Sequence, residues 1–197
     1  MGDPKKPKKH YRTPSHPWQK ARIDEERELV KEYGFVNKKE IWKVQTQVHN
    51  FKSRAKKLIS TAGEKGLGER QVLITKLNRM GVMKNENAAM EDVLSLSFRD
   101  FADRRLQSLL FRKGLARTIK QARQFIVHGH VKVSDKKITA PCYLVLKEEE
   151  EKIMFVDNST LSDAKHPERA IVKKTAEVKV QNTVESAPVK EEVKADE

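Results

Sequence analysis

Between Arg104 and Val145 the chain reads RRLQSLLFRKGLARTIKQARQFIVHGHVKVSDKKITAPCYLV. These side chains suit holding a polyanion better than making or breaking bonds. Arginine carries a planar fork of donors that can grip two phosphate oxygens and stack on a base. On a helix running from Arg104 to Lys113, at about 100° per residue, Leu106, Leu109 and Leu110 fall on one side. Arg104, Arg105, Ser108 and Arg112 fall on the other, and Lys113 closes the helix before Gly114. Thr118 with Gln121 forms a Thr-x-x-Gln capping box that opens a second helix. There Ile119, Ala122 and Ile126 share one face and Lys120 and Gln124 the opposite one, with Arg117 just before the helix, Arg123 at the flank and His128 at the end. With both aliphatic faces on a common core, the cationic faces are expected to form one continuous patch. From Arg99 to Lys137 there are eleven Lys or Arg against three Asp, a surplus of eight that Asp100 and Asp103 cannot neutralise.

His128-Gly129-His130 reads as a tight reversal from helix into strand, with Gly129 at positive φ. The histidines either donate to phosphate or pack in the turn; as a metal pair they have no third or fourth ligand nearby in sequence. Val131-Lys132-Val133 alternates as a strand, Ser134 to Lys137 is a polar turn, and Ile138 to Val145 is expected to return as a strand interrupted by Pro141. Ile153 to Val156 supplies another short strand after the acidic turn Glu148 to Glu151.

Upstream elements position this region. Residues 1 to about 22 form a basic arm in which Lys5, Lys6, Lys8, Lys9, Arg12, Lys20 and Arg22 face only Asp3, and prolines at 4, 7, 14 and 17 forbid a helix. Two readings are open for it, a solvated tail or a tail along phosphates with Tyr11, His16 and Trp18 stacking on bases. Ile23 to Tyr33 is helical and stops at Gly34. Asn37 opens a longer helix, with Glu40 in an approximate capping box. Ile41, Val44, Val48, Phe51, Ala55 and Leu58 recur along it at three- and four-residue steps as one apolar stripe. Lys43, Lys52, Arg54, Lys56 and Lys57 decorate its other sides, either as a solvated face or as an RNA face. Gly63, Gly66 and Gly68 break the pattern, a third helix runs from about Glu69 to Met80, residues 85 to 89 are a loop, and Ser97 with Asp100 caps the next helix. From about Lys173 the chain mixes charges, lacks aromatics and reads as a disordered tail.

Composition narrows the function classes. The chain has 197 residues and a net charge of +13, with a pI near 9.7, so an anionic partner is expected. No apolar run approaches the roughly 20 residues needed to span a bilayer. The first residues lack a signal-like apolar core, and Lys6 stands where a myristoylation motif wants Ser or Thr. A single cysteine, Cys142, excludes an internal disulfide and a cysteine zinc cluster and is expected to be a small buried residue of a strand in a reducing, cytoplasmic setting. A pseudouridine synthase is disfavoured, because the stretch after Val145 is too short for a catalytic domain. A membrane-surface role would need the stripe from Ile41 to Leu58, which is better used in a core.

Taken together, Arg104-Arg105-Leu106, Arg112-Lys113-Gly114-Leu115-Ala116-Arg117-Thr118, Ala122-Arg123-Gln124 and His128-Gly129-His130-Val131-Lys132-Val133 resemble the signature of the ribosomal protein S-four RNA-binding domain. Ser134-Asp135 stands where that family usually has an Asn-Gly turn. Residues 37 to 103, with Asp92-Val93-Leu94-Ser95-Leu96 leading into Arg104 to Gln107, are similar to the helical domain of the small-subunit S-four ribosomal protein, in its archaeal and eukaryotic branch. The resemblance implies an α+β fold. It comprises a basic arm and short helix over 1–36, a helical rRNA-binding domain over 37–103, an S-four-type domain of two helices on a small, mainly antiparallel sheet over 104–170, and a tail over 171–197. It also implies a non-enzymatic constituent of the cytoplasmic small ribosomal subunit, without cofactor or metal. Such a protein binds small-subunit rRNA early in assembly, neighbours other ribosomal proteins and supports decoding accuracy. A small-subunit processome snoRNP protein, which shares the domain order, or another RNA-binding assembly factor is the alternative. The expected RNA-binding set joins Arg104, Arg105, Ser108, Arg112, Lys113, Arg117, Thr118, Lys120, Arg123, Gln124, His128, His130 and Lys132 to Lys52, Arg54, Lys56 and Lys57 of the long helix.

Overall fold

The computed structural model describes residues 9–61, 64–83, 89–163 and 166–168. Lys5, Lys6 and Lys8 of the arm, most of the loop expected over 85–89, and the tail from Lys173 lie outside the described residues. The fold is α+β. Among the described residues the order is α1 (Lys20–Tyr33), α2 (Lys38–Ser60), α3 (Glu64–Arg79), α4 (Met90–Ser95), α5 (Phe98–Asp103), α6 (Leu106–Arg112), α7 (Ile119–Val127), β1 (Val131–Val133), β2 (Lys136–Lys137) and β3 (Ile153–Phe155).

The apolar stripe of α2 organises the helical half. Ile41, Val44, Ala55 and Leu58 are buried, and Val44, Ala55 and Leu58 share a core with Leu73 and Leu77 of α3, Val93 of α4 and Phe101 of α5. Phe51 stacks on Phe101 with ring centroids 5.5 Å apart. The helix α3 begins at Glu64, earlier than the Glu69 start expected from the glycines. Arg70 ties α3 to α2: Nε and Nη2 donate to the Leu58 carbonyl at 3.0 and 2.9 Å, and Nη2 to the Thr61 carbonyl at 3.2 Å. Arg70 thereby satisfies the orphan carbonyls at the end of α2 and folds α3 back along it.

Residues 9–19 of the arm are non-helical, in keeping with its prolines, and are held against α2, whereas Lys20 to Arg22 already belong to α1, which starts three residues before the expected Ile23. Tyr11 stacks on Trp42 at 6.2 Å, and the Arg12 amide donates to Thr46 Oγ1 at 2.9 Å. The expected base-stacking role of Tyr11 therefore meets an already occupied ring, whereas Trp18 is 91% exposed. Helix α1 docks through Glu26, which is buried yet charged. Trp42 Nε1 donates to its Oε1 at 3.0 Å, Arg22 pairs with the same oxygen, and Lys38 approaches Oε2 at 3.3 Å. Tyr33, Phe35, Ile41 and Ala102 close a second apolar cluster joining α1, α2 and α5.

In the C-terminal half, Leu106, Leu109 and Leu110 of α6, Ala122, Phe125 and Ile126 of α7, and Val131, Val133, Ile153 and Phe155 of the sheet form one core. The strands run in the order β2-β1-β3, all antiparallel, with Lys132 opposite Lys137 on one side and Met154 on the other. The expected long return from Ile138 to Val145 is not a strand. Pro141 has no amide to donate, the chain turns, and only Leu144 makes a bridge, to Arg105. Cys142 is consequently exposed, not a buried strand residue. Gly129 has φ 74°, as the reversal at His128-Gly129-His130 demands, and Ser134 takes φ 53° where Asn-Gly was absent.

Burial pushes the Glu26 carboxyl up, but the hydrogen bonds from Trp42, Arg22 and Lys38 outweigh it and hold the group below its ordinary value. Such a carboxylate stabilises the fold above its unfolded-state pKa and loses that contribution as pH falls through the folded value. Glu26→Gln is expected to lower stability at neutral pH by about 2 kcal/mol. The same variant should show a weaker further loss than the native chain as urea midpoints are followed from about pH 5 to pH 3. Parallel losses in the two proteins would show that ionisation of Glu26 does not couple to folding.

Candidate nucleic-acid interface

Helix α6 does not present the cationic face its sequence suggests. All five residues from Leu106 to Leu110 are buried, because the helix lies between the helical half and the sheet. A helix enclosed on both sides must satisfy its polar groups internally. Ser108 Oγ donates to the Ala102 carbonyl at 2.7 Å, and Gln107 Nε2 donates to the carbonyls of Gly34 and Ile119 at 3.2 and 3.0 Å. Ser108 is thus a structural donor and is not on an exposed patch.

The two arginines before α6 are joints. Arg105 is 1% exposed. Its Nη2 lies 3.3 Å from Glu40 Oε2 and 3.6 Å from Cys142 Sγ, and its guanidinium sits 4.1 Å from the Phe35 ring centroid. Arg123 grips the same Glu40 with two bonds, Nη2 to Oε1 at 2.7 Å and Nη1 to Oε2 at 3.0 Å, and this holds its guanidinium charged beyond the ordinary range. Glu40 is therefore a crosslink between α2, α6 and α7, in place of the capping box expected at Asn37, whose side chain makes no cap bond. Arg104 reaches three ways: Nε to the Met80 carbonyl at 3.0 Å, Nη2 to the Val145 carbonyl at 3.1 Å and Nη1 to Glu150 Oε2 at 2.6 Å. This path runs over Gly81, where a Cβ would stand 2.7 Å from Arg104 Cζ.

Two other expected contacts are also partnered. Arg112 pairs with Asp103, whose hydrogen bond is the main reason its charge is held more firmly. Lys132 bonds both oxygens of Asp157, at 2.7 and 2.9 Å. His130 Nδ1 lies 2.9 Å from Ser159 Oγ, packing the turn, and Thr118 Oγ1 accepts from the Gln121 amide at 3.1 Å as the sequence predicts. Lys113 donates to the Glu150 carbonyl while remaining exposed.

What stays free is the outer face of α7. Arg117, Lys120, Gln124 and His128 are exposed at roughly one-turn steps, and the side chains of Arg117 and Lys120 make no ion pair among the described residues. The helix is fixed beneath them by Ala122, Phe125 and Ile126. On α2, Arg54, Lys56 and Lys57 are likewise exposed and Lys52 half-buried, all without an ion pair among the described residues. Among the described residues no group of three or more His, Cys, Asp or Glu is placed to hold a metal ion, and no helix is long and apolar enough to cross a membrane.

Removing Glu40 would leave Arg105 buried beside no carboxylate. Glu40→Ala is expected to cost about 3–5 kcal/mol in urea unfolding, and Arg123→Ala about 1 kcal/mol, because Arg123 is half-buried and Glu40 keeps Arg105. A Glu40→Ala variant as stable as the native chain would show that the pair does not hold the two halves together.

The profile of the S4 domain family matches residues 104–151, the segment running from the Arg104 joint through the sheet. The chain is 51% identical over 177 residues to the small ribosomal subunit protein uS4 of Methanococcus aeolicus, covering 90% of this chain and all of that protein. Against the small ribosomal subunit protein uS4 of Methanococcus maripaludis it is 47% identical over 169 residues, 86% of this chain and 95% of that one. Identity of this extent across both halves, with the S4 domain at its expected place, makes the chain a member of the small ribosomal subunit protein uS4 family.

Proposed function

We propose that this chain is a non-catalytic structural constituent of the cytoplasmic small ribosomal subunit. It binds the subunit's rRNA directly, early in assembly, beside other ribosomal proteins, and supports accurate decoding. The observation that carries this reading is the exposed cationic face of α7, without an ion pair among the described residues and held rigidly inside an S4 domain, in a chain matching uS4 relatives over nearly its full length. Cations displace counterions condensed on folded RNA, and the fixed separation of the α7 and α2 faces selects its shape. Base-by-base readout is not required, since the major groove of an A-form helix is too narrow for side chains.

Under this reading the sequence-derived set divides. Arg117, Lys120, Gln124 and His128, with Lys113 and the exposed Arg112, are the contacts of the S4 domain, and Lys52, Arg54, Lys56 and Lys57 those of α2. Arg104, Arg105, Arg123, Ser108 and Thr118 act through the frame that holds these contacts, and His130 and Lys132 through the turn and sheet.

Sedimentation of lysate through sucrose at moderately high salt tests the assignment. The protein is expected in mature small subunits and polysomes; confinement to precursor particles would make it an assembly factor. For the contacts, Arg117→Ala with Lys120→Ala should weaken binding to a small-subunit rRNA transcript and reduce the slope of log affinity against log salt by about 2 units. An unchanged slope would remove the α7 face from the interface.

A further inference from the structure

A groove at the seam of the two halves has the composition of a nucleotide site. It encloses about 470 Å³, within the range of small-ligand pockets. Its floor is apolar: Phe51 of α2, Met80 after α3, and Leu144 from the opposite half. Phe51 is immobilised by its stack on Phe101. The rim is polar without acid: Gln47, Asn50 and Arg54 from α2 and Lys76 from α3. None of these four side chains makes a hydrogen bond or ion pair among the described residues, whereas Arg104, Arg105, Arg112 and Arg123 are all partnered.

The rim belongs to a longer feature. Lys43, Gln47, Asn50, Arg54 and Lys57 follow one another at four- and three-residue steps and are all exposed, so they form a single stripe along α2. At 1.5 Å per residue the stripe is about 21 Å long. Arg54 and Lys76 also border a second hollow of about 500 Å³, which places the cation pair on the ridge between two recesses.

We propose that the groove receives an unpaired rRNA nucleotide turned out of its stack. Its base lies on the Phe51, Met80 and Leu144 floor, the Gln47 and Asn50 amides bond its edge, and Arg54 and Lys76 hold its phosphates. Amides suit this role because each offers both donors and an acceptor, as base edges do. Unstacked bases are what proteins grip in single-stranded loops and bulges. The proposal rests on the rRNA-binding reading and adds a site to it.

Chemical probing of a small-subunit rRNA transcript, nucleotide by nucleotide, tests it with the full chain and with Gln47→Ala/Asn50→Ala. Both positions are exposed on a helix, where alanine is well tolerated. The native chain is expected to protect one or a few unpaired nucleotides that the double variant leaves reactive. The rest of the footprint should persist and affinity should fall about five- to twentyfold. Full protection and unchanged affinity in the double variant would overturn the groove assignment while leaving rRNA binding intact. So would unchanged rRNA protection combined with loss of a neighbouring ribosomal protein from reconstituted particles. Failure of the native chain to bind the transcript would overturn both readings.

Discussion

The fold turns on a charge that has been taken out of water. Arg105 is almost wholly enclosed, and its Nε and Nη1 have no hydrogen-bond partner among the described residues. An isolated guanidinium in that position would be strongly unfavourable. It is tolerable only because Glu40 lies against one edge and the Phe35 ring against one face. Glu40 belongs to α2, Phe35 follows α1, and Arg105 starts α6. Loss of Glu40 with the halves still closed would leave an uncompensated ion in the seam. Neighbouring residues extend the same constraint: Arg104 ties the end of α3 to Val145 and Glu150, and Gln107 ties the end of α1 to the start of α7.

That constraint sorts the cations into two populations. Those facing the seam are consumed by acids brought from other elements. Those on the outer faces of α7 and α2 meet no such acids among the described residues and remain exposed. The division also explains why arginine stands at the seam. A lysine is a point charge with a compact head, and it could not hold Glu40 through two parallel bonds as Arg123 does, nor lie flat on a ring as Arg105 does.

The parts readable from sequence are those decided within a few residues. The α2 stripe follows from helical periodicity, the Thr118 cap from a local hydroxyl, and the positive φ of Gly129 from the short path between helix and strand. The orientation of α6 was not readable. A count of charges between Arg99 and Lys137 finds a large surplus, yet the acids that neutralise Arg105 and Arg104 lie 65 and 46 residues away. An amphipathic pattern likewise shows which residues of α6 are apolar, but not that a second surface covers the polar side. The one local clue was Gln107, a polar residue set among leucines with no solvent role. Gln47 and Asn50 were missed for the opposite reason: neutral amides on an exposed face look like ordinary solvated positions until the Leu144 side of the groove is in place.

A rigid seam has a consequence for recognition by shape. Folded RNA presents phosphates at separations set by its own helices, and a protein matches them at low entropic cost only if its cations are already spaced. Cations on a flexible arm bind any phosphates, because each contact orders more chain. Cations on α7 and α2 hold one mutual geometry as long as Glu40 joins those helices. In such a design the arginines of the seam set the spacing of the exposed cations. Weakening the seam would blur the spacing between the two faces before it removed any single exposed cation, so recognition of a shape would suffer ahead of general attraction to a polyanion.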